Sequence, residues 1–218
     1  MRLKLSKGKI ISLFVVLLLV IDQLIKFSVK LNMTIGESIP VFGNWFQIYF
    51  IENNGMAFGM QWGGDWGKLA LSLFRLVLIG YIIYYIHKLL KKTDTPTGVF
   101  VGVSLVLVGA IGNVIDCLFY GAIFNESTFS TLAQFLPSEG GYSSLLFGKV
   151  VDMFYFPIIN THLPNWVPIW GGEDFIFFRP IFNFADACIS VAVVYLLLFQ
   201  RKFFTVEQDI ETSKESAK

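Results

Sequence analysis

Charged side chains are scarce in this chain. Only 15% of its 218 residues are Asp, Glu, Lys or Arg, whereas roughly 25% is usual in a soluble domain, and 55% are hydrophobic. The formal net charge is +1, so the sequence lacks the basic excess that nucleic-acid binding needs, and we expect no nucleic-acid partner. This composition predicts an integral membrane protein.

Cysteine and histidine are almost absent as well. Cys117 and Cys188 both lie in apolar segments, where we expect buried small hydrophobic residues rather than a disulfide. The two histidines, His87 and His162, form no HExxH motif, which argues against a zinc protease. We therefore predict neither a metal site nor a cofactor.

Long apolar runs are what the chain has in abundance. A membrane-spanning helix needs about 20 such residues, and four segments meet that length: 10–30, 69–88, 98–120 and 183–203. The first run follows a basic stretch but has no small-residue cleavage site, so it is interpreted as a span and not as a signal peptide. The predicted fold is an all-α membrane protein with four transmembrane helices, in one domain covering 1–204. A polar cytoplasmic tail, 205–218, follows.

The distribution of charge predicts the orientation of the spans. Basic residues precede the first span, occur in the link HKLLKKTDTP, and close the fourth span at Arg201 and Lys202. The two long links, 31–68 and 121–182, are rich in acidic residues. Because basic residues are retained on the cytoplasmic side, we expect both termini in the cytoplasm and both long links outside.

The outer links contain more than connecting chain. Segment 39–51 is rich in β-branched and aromatic residues and predicts one or two short strands, hence a small β-rich element beside an extended outer loop or helix. All five tryptophans fall in these links, either as anchors at the membrane surface or as part of a packed core. They are Trp45, Trp62, Trp66, Trp166 and Trp170.

Two aspartates beside apolar segments are the strongest candidates for a functional site. Asp152 lies in VVDMF and Asp186 in FNFAD. Carboxylates at a membrane edge are energetically costly, which makes each a candidate functional residue. Each also has a structural interpretation, since Asp152 can cap a short helix and Asp186 can be stabilised by a helix N-terminus. Together they fit a pair that shares a proton, as in aspartic proteolysis.

Other polar residues in the apolar segments are open to two interpretations. Asn113 and Asp116 share a helix face, where they either join helices or orient a substrate. Asn183 shares a helical stripe with Asp186. Asn53 either satisfies a turn or binds a peptide backbone.

Charged residues within the first two spans have structural interpretations too. Asp22 and Lys26, at i and i+4, predict an ion pair, structural or in contact with lipid. Arg75 either extends to the membrane surface or pairs with a carboxylate.

Five short motifs, in chain order, resemble those of the lipoprotein signal peptidases (signal peptidase II), a bacterial family of intramembrane aspartic proteases. They are DQLIK (22–26), NNGMAFG (53–59), GAIGNVID (109–116), VVDMF (150–154) and FNFAD (182–186).

The resemblance implies an endopeptidase that removes signal peptides from diacylglyceryl-modified prolipoproteins by cleaving before the lipidated cysteine. It implies Asp152 and Asp186 as the catalytic pair, and a place in the bacterial inner membrane with the active site near the outer face. Prolipoproteins and membrane lipids are the implied partners, and we expect a monomer. The implied substrate-binding or orienting residues are Asn53, Gly55, Asn113, Asp116 and Asn183, with Asp22 and Lys26 as structural or lipid-contact residues.

The chain departs from the family pattern in two respects. The family usually has an arginine after the aspartate of the third motif, but Cys117 stands here, so the resemblance supplies no charge partner for Asp116. The stretches flanking Asp152, 117–151 and 153–182, are also longer than the family pattern. Three rival functions remain at this point: a transporter or channel subunit, a membrane partner without activity, and a serine–lysine protease using Ser190.

Overall fold

Long apolar helices dominate the computed structural model, which describes residues 5–54, 64–166, 168–169 and 171–205. Within these ranges, three helical segments are long and apolar enough to cross a membrane. The helices are α1 (Lys7–Asn32), α2 (Gly64–Leu90), α3 (Thr97–Ile115), the short α4 (Gly121–Ile123) and α5 (Phe184–Phe199). A π-helical turn, Asp116–Tyr120, joins α3 to α4.

The fourth predicted span forms a shorter helix than expected. Proline favours the first turn of a helix, so Pro180 predicted a start near 183. Residues Ile181–Phe182 pair as a strand, and α5 begins directly afterwards at Phe184, close to the predicted start, but it ends at Phe199 and has only 16 residues.

A four-stranded antiparallel sheet accompanies the helices, with strand order β1-β2-β3-β6, and β4 and β5 form a separate two-stranded sheet. The strands are β1 (Ser38–Phe42), β2 (Phe46–Asn53), β3 (Val150–Tyr155), β4 (Ile159–His162), β5 (Asp174–Phe177) and β6 (Ile181–Phe182). The strands predicted in 39–51 are therefore confirmed as β1 and β2. The interpretation of Asp152 as a helix cap is wrong, because Val150 and Val151 are β-branched and pair with β2.

The chain divides into two compact units. The helical unit comprises 1–21, 73–112 and 185–218, and the sheet unit comprises 22–72 and 113–184. The core of the sheet unit is a cluster of buried apolar side chains: Val29, Met33, Phe50, Tyr120, Phe124, Ala133, Val151 and Met153.

The described tryptophans lie mostly at the surface. Trp45, Trp66 and Trp166 are all at least half exposed, which fits anchoring at a membrane surface and excludes the packed-core alternative for these three. Trp62 and Trp170 fall outside the described residues.

In the helical unit, α3 and α5 approach closely along a row of glycines. A Cβ atom placed on Gly109 would overlap the Ile189 side chain and lie 2.5 Å from the carbonyl oxygen of Ala185. Gly102 has the same relation to Leu196. Small residues thus permit a contact between these two helices that no larger side chain would allow.

We expect Gly109→Ala to lower the free energy of unfolding by about 1–3 kcal/mol, because the backbone of α5 cannot move aside without losing packing. The matched control is Gly80→Ala in α2, where a Cβ would meet no atom of the described residues within 4 Å. That substitution should leave stability equal or higher by up to about 1 kcal/mol. Thermal unfolding in detergent micelles measures both, and equal effects would contradict the close contact.

Candidate active site

A buried lysine lies at the centre of the polar residues in the sheet unit. Lys26 Nζ is 3.0 Å from Asp22 Oδ2 and 2.9 Å from Asp116 Oδ2, and all three side chains are fully buried. Its third contact is Asn113 Oδ1, at 2.9 Å. The predicted ion pair between Asp22 and Lys26 is therefore present, since residues four apart on a helix share a face.

Lys26 is also the basic partner of Asp116, a role that Cys117 at the next position cannot fill. Asp116 accepts hydrogen bonds from Gln23 Nε2 at 3.1 Å and from the backbone N–H of Val151 at 3.2 Å, in addition to its pairing with Lys26. Cys117 itself is a buried free thiol. The expectation that Asp116 lacks a basic neighbour is wrong, because the cation comes from α1 and not from the next residue along the chain.

Asp152 lies beside this cluster, in the third position of β3, with a side chain that is 2% exposed. Asn183 Nδ2 donates to Asp152 Oδ1 at 2.6 Å, and Asn53 Nδ2 donates to Asp152 Oδ2 at 3.3 Å. The same Asn183 nitrogen lies 3.0 Å from Asn113 Oδ1. A continuous hydrogen-bonded path therefore leads from Lys26 through Asn113 and Asn183 to Asp152.

The sheet explains why these side chains meet. Ile51 is opposite Asp152 and Asn53 is opposite Val150 in the antiparallel pair, so the side chains of Asn53 and Asp152 project from one face of the sheet as diagonal neighbours. Asn183 directly follows β6, whose Phe182 is opposite Phe154 on the other side of β3. The two asparagines thus approach Asp152 from the two strands that flank it.

Most of the residues predicted for a site lie together in the sheet unit: Asp22, Lys26, Asn53, Asn113, Asp116, Asp152 and Asn183. Asp186 belongs to the helical unit, where it lies in the first turn of α5 and is partly exposed. Gly55 falls outside the described residues. In the part of the chain that the structure describes, no three His, Cys, Asp or Glu side chains are placed to hold a metal ion.

A second buried ion pair was missed by the sequence reasoning. Lys30 pairs with Glu52 at the end of β2, and the Oγ of Ser127 contacts both, at 2.9 Å from each. The signal was present in the sequence, because Lys26 and Lys30 are four residues apart and so share a helix face.

The long stretch that precedes β3, 117–149, takes part in this second cluster. The Lys30 ammonium lies 5.2 Å from the centroid of the Phe124 ring and 5.3 Å from that of Tyr142. Burial raises the pKa of the Tyr142 phenol far above its usual range, so this side chain stays neutral. Its oxygen accepts a hydrogen bond from the backbone N–H of Lys149 at 2.6 Å, directly before β3 begins.

Known proteins resemble this chain over most of its length. The family model described as Signal peptidase (SPase) II matches residues 14–202. The chain belongs to the signal peptidase II family. A lipoprotein signal peptidase of Porphyromonas gingivalis is 50% identical to it over 195 residues, which cover 89% of this chain and 84% of that protein. A lipoprotein signal peptidase of Amoebophilus asiaticus is 36% identical over 197 residues, 89% of this chain and 78% of that protein.

The fold of this signal peptidase II family member also resembles that of a solved bacterial membrane enzyme, determined by the in meso method at 1.9 Å resolution. The TM-score is 0.58 with 23% sequence identity, and the match covers 91% of this chain and 96% of that one. Family membership makes the chain a peptidase, and its long apolar helices agree with a membrane enzyme.

We expect Lys30→Met to lower the free energy of unfolding by about 3–5 kcal/mol, because it removes the fully buried ammonium partner of the buried Glu52 carboxylate. The matched control is Lys149→Met, which removes a lysine 3.6 Å from the same carboxylate, but one whose side chain is 28% exposed. This control should cost about 1 kcal/mol or less. Equilibrium denaturation in detergent micelles measures both, and the double variant Lys30→Met/Glu52→Gln should recover part of the loss. Equal losses for the two lysines would contradict the buried pair.

Proposed function

We propose that this signal peptidase II family member removes signal peptides from diacylglyceryl-modified prolipoproteins by cleaving the peptide bond before the lipidated cysteine. The proposed catalytic pair is Asp152 and Asp186. The observation that carries the proposal is the state of Asp152: a carboxyl group almost fully buried in an apolar strand, with an asparagine amide on each oxygen. A group so costly to bury and so closely oriented is typical of an active site.

The two aspartates have environments suited to different parts of one reaction. Asp152 is buried and oriented, whereas Asp186 lies in the first turn of α5 and is partly exposed, so water can reach it. A catalytic pair of aspartates holds one proton between its two carboxyl groups, because both ionise together only at high cost. One aspartate then acts as a general base and the other as a general acid.

The reaction follows from these two roles. The base aspartate takes a proton from a water molecule as its oxygen bonds to the scissile carbonyl carbon. The acid aspartate donates its proton to the nitrogen of the lipidated cysteine as the carbon–nitrogen bond breaks. Asn53, Asn113, Asp116 and Asn183 orient the carboxyl groups and the substrate backbone, with Gly55 as a further backbone contact.

A membrane location near the outer face suits this substrate. We propose four crossings, with α5 as the fourth, and both termini in the cytoplasm. The charge distribution supports that orientation. The acyl chains of the substrate would then remain against the apolar helix surfaces while water enters from outside. Exposed side chains such as Leu13, Val77 and Leu197 provide such surfaces on α1, α2 and α5, and we propose that the enzyme acts as a monomer among membrane lipids.

We expect Asp152→Asn and Asp186→Asn each to reduce kcat by at least about a thousandfold, because neither amide can exchange a proton in the required way. The matched control is Asp174→Asn in β5, whose side chain is 85% exposed. This control should retain the activity of the parent enzyme. Cleavage of a diacylglyceryl-modified prolipoprotein in detergent micelles is the measurement. Full activity in either of the first two variants would end the proposal, and Ser190→Ala should stay active if the serine–lysine alternative is wrong.

A further inference from the structure

We propose that Lys26 fixes the direction of the hydrogen bonds that reach Asp152, so that Asp152 begins the reaction as the ionised carboxylate and general base. This inference rests on the proposed catalytic role of Asp152. It adds where the shared proton starts and which residues hold it there. Lys26, Asn113 and Asn183 are positioning residues in this scheme, since they act through Asp152.

The Lys26 ammonium group sets the direction of these hydrogen bonds. An ammonium group has three N–H donors and no acceptor. Lys26 is fully buried and directs those donors to three oxygen atoms, one each on Asp22, Asp116 and Asn113. The side-chain atom of Asn113 that faces Lys26 is therefore its carbonyl oxygen. The lysine thus determines which way round the Asn113 amide lies.

Asn183 takes its orientation from Asn113. The atom of Asn183 that lies 3.0 Å from Asn113 Oδ1 must be the amide nitrogen, because two facing oxygens would repel. That same nitrogen lies 2.6 Å from Asp152 Oδ1. An amide NH₂ group has two hydrogens, and here each has its own oxygen acceptor. Asp152 Oδ1 is consequently an acceptor.

The second oxygen of Asp152 receives a similar contact. Asn53 Nδ2 lies 3.3 Å from Oδ2, on the opposite side of the carboxyl group. Hydrogen bonds donated to a carboxyl group favour its charged form, and they are stronger when the acceptor carries the charge. The surroundings of Asp152 therefore favour the carboxylate, in spite of its burial.

Asp186 then supplies the second carboxyl group of the proposed pair. Because the hydrogen bonds from Asn53 and Asn183 are both donated to Asp152, the shared proton is assigned to Asp186, which acts as the general acid.

The test is the acid limb of the pH profile of kcat/KM in Asn113→Leu, whose side chain has the same number and branching of heavy atoms. This variant leaves the Lys26 ion pairs intact but removes the oxygen that orients Asn183. Because Asp152 then loses a fixed donor, we expect the acid limb to move up by about one pH unit. A rise in KM with an acid limb that stays in place would instead show that Asn113 acts only on the substrate, and would overturn this assignment.

Two further variants complete the experiment. Ser104→Ala is the matched control, because Ser104 is buried in α3 and its Oγ has no hydrogen-bond partner among the described residues. Its acid limb should not move. Asn183→Ala removes the donor directly and should shift the limb in the same direction, so it decides the matter if Asn113→Leu fails to fold.

The outcomes separate this inference from the proposed function. If the enzyme cleaves prolipoprotein and depends on Asp152, but the acid limb stays in place in the asparagine variants, then only the proposed role of Lys26 is overturned. A uniform fall in kcat/KM at every pH overturns it as well, since that is what a merely structural role produces. A parent enzyme without prolipoprotein cleavage overturns the function and this assignment together.

Discussion

The ion pairs made by the buried Lys26 ammonium group are the interaction on which the rest of the sheet unit depends. It pairs with one aspartate from its own helix and one from the π-helical turn after α3. Removing the ammonium group would leave two carboxyl groups in an apolar interior without a cation, at a cost of several kcal/mol. The elements that carry these partners are therefore held together by ion pairing as well as by packing.

The contacts that could be predicted from the sequence are those between residues close together in the chain. Asp22 and Lys26 are four residues apart, and their ion pair follows from helix geometry alone. The strands β1 and β2 follow from their β-branched and aromatic residues. The motifs in chain order identified the family, which the comparisons then established.

The sequence failed where a partner is distant along the chain. Nothing near Asp116 indicated that its cation would come from residue 26, and nothing near Glu52 indicated Lys30 and Ser127. Strand β3 was missed because only six residues form it and its neighbours β2 and β6 lie far away in sequence.

The hydrogen bond from the Val151 backbone to Asp116 has a consequence for how the protein assembles. Side chains alternate along a strand, so Val151 enters the apolar core while Asp152 projects from the opposite face. A slip of β3 by one residue would exchange them, placing a carboxyl group against Phe50 and Tyr120. Asp116 accepts the Val151 N–H only in the correct alignment, and Asp116 is itself held by Lys26. The buried charges therefore favour one alignment of the strand that carries Asp152, so they act on strand register as well as on the packing of the helices.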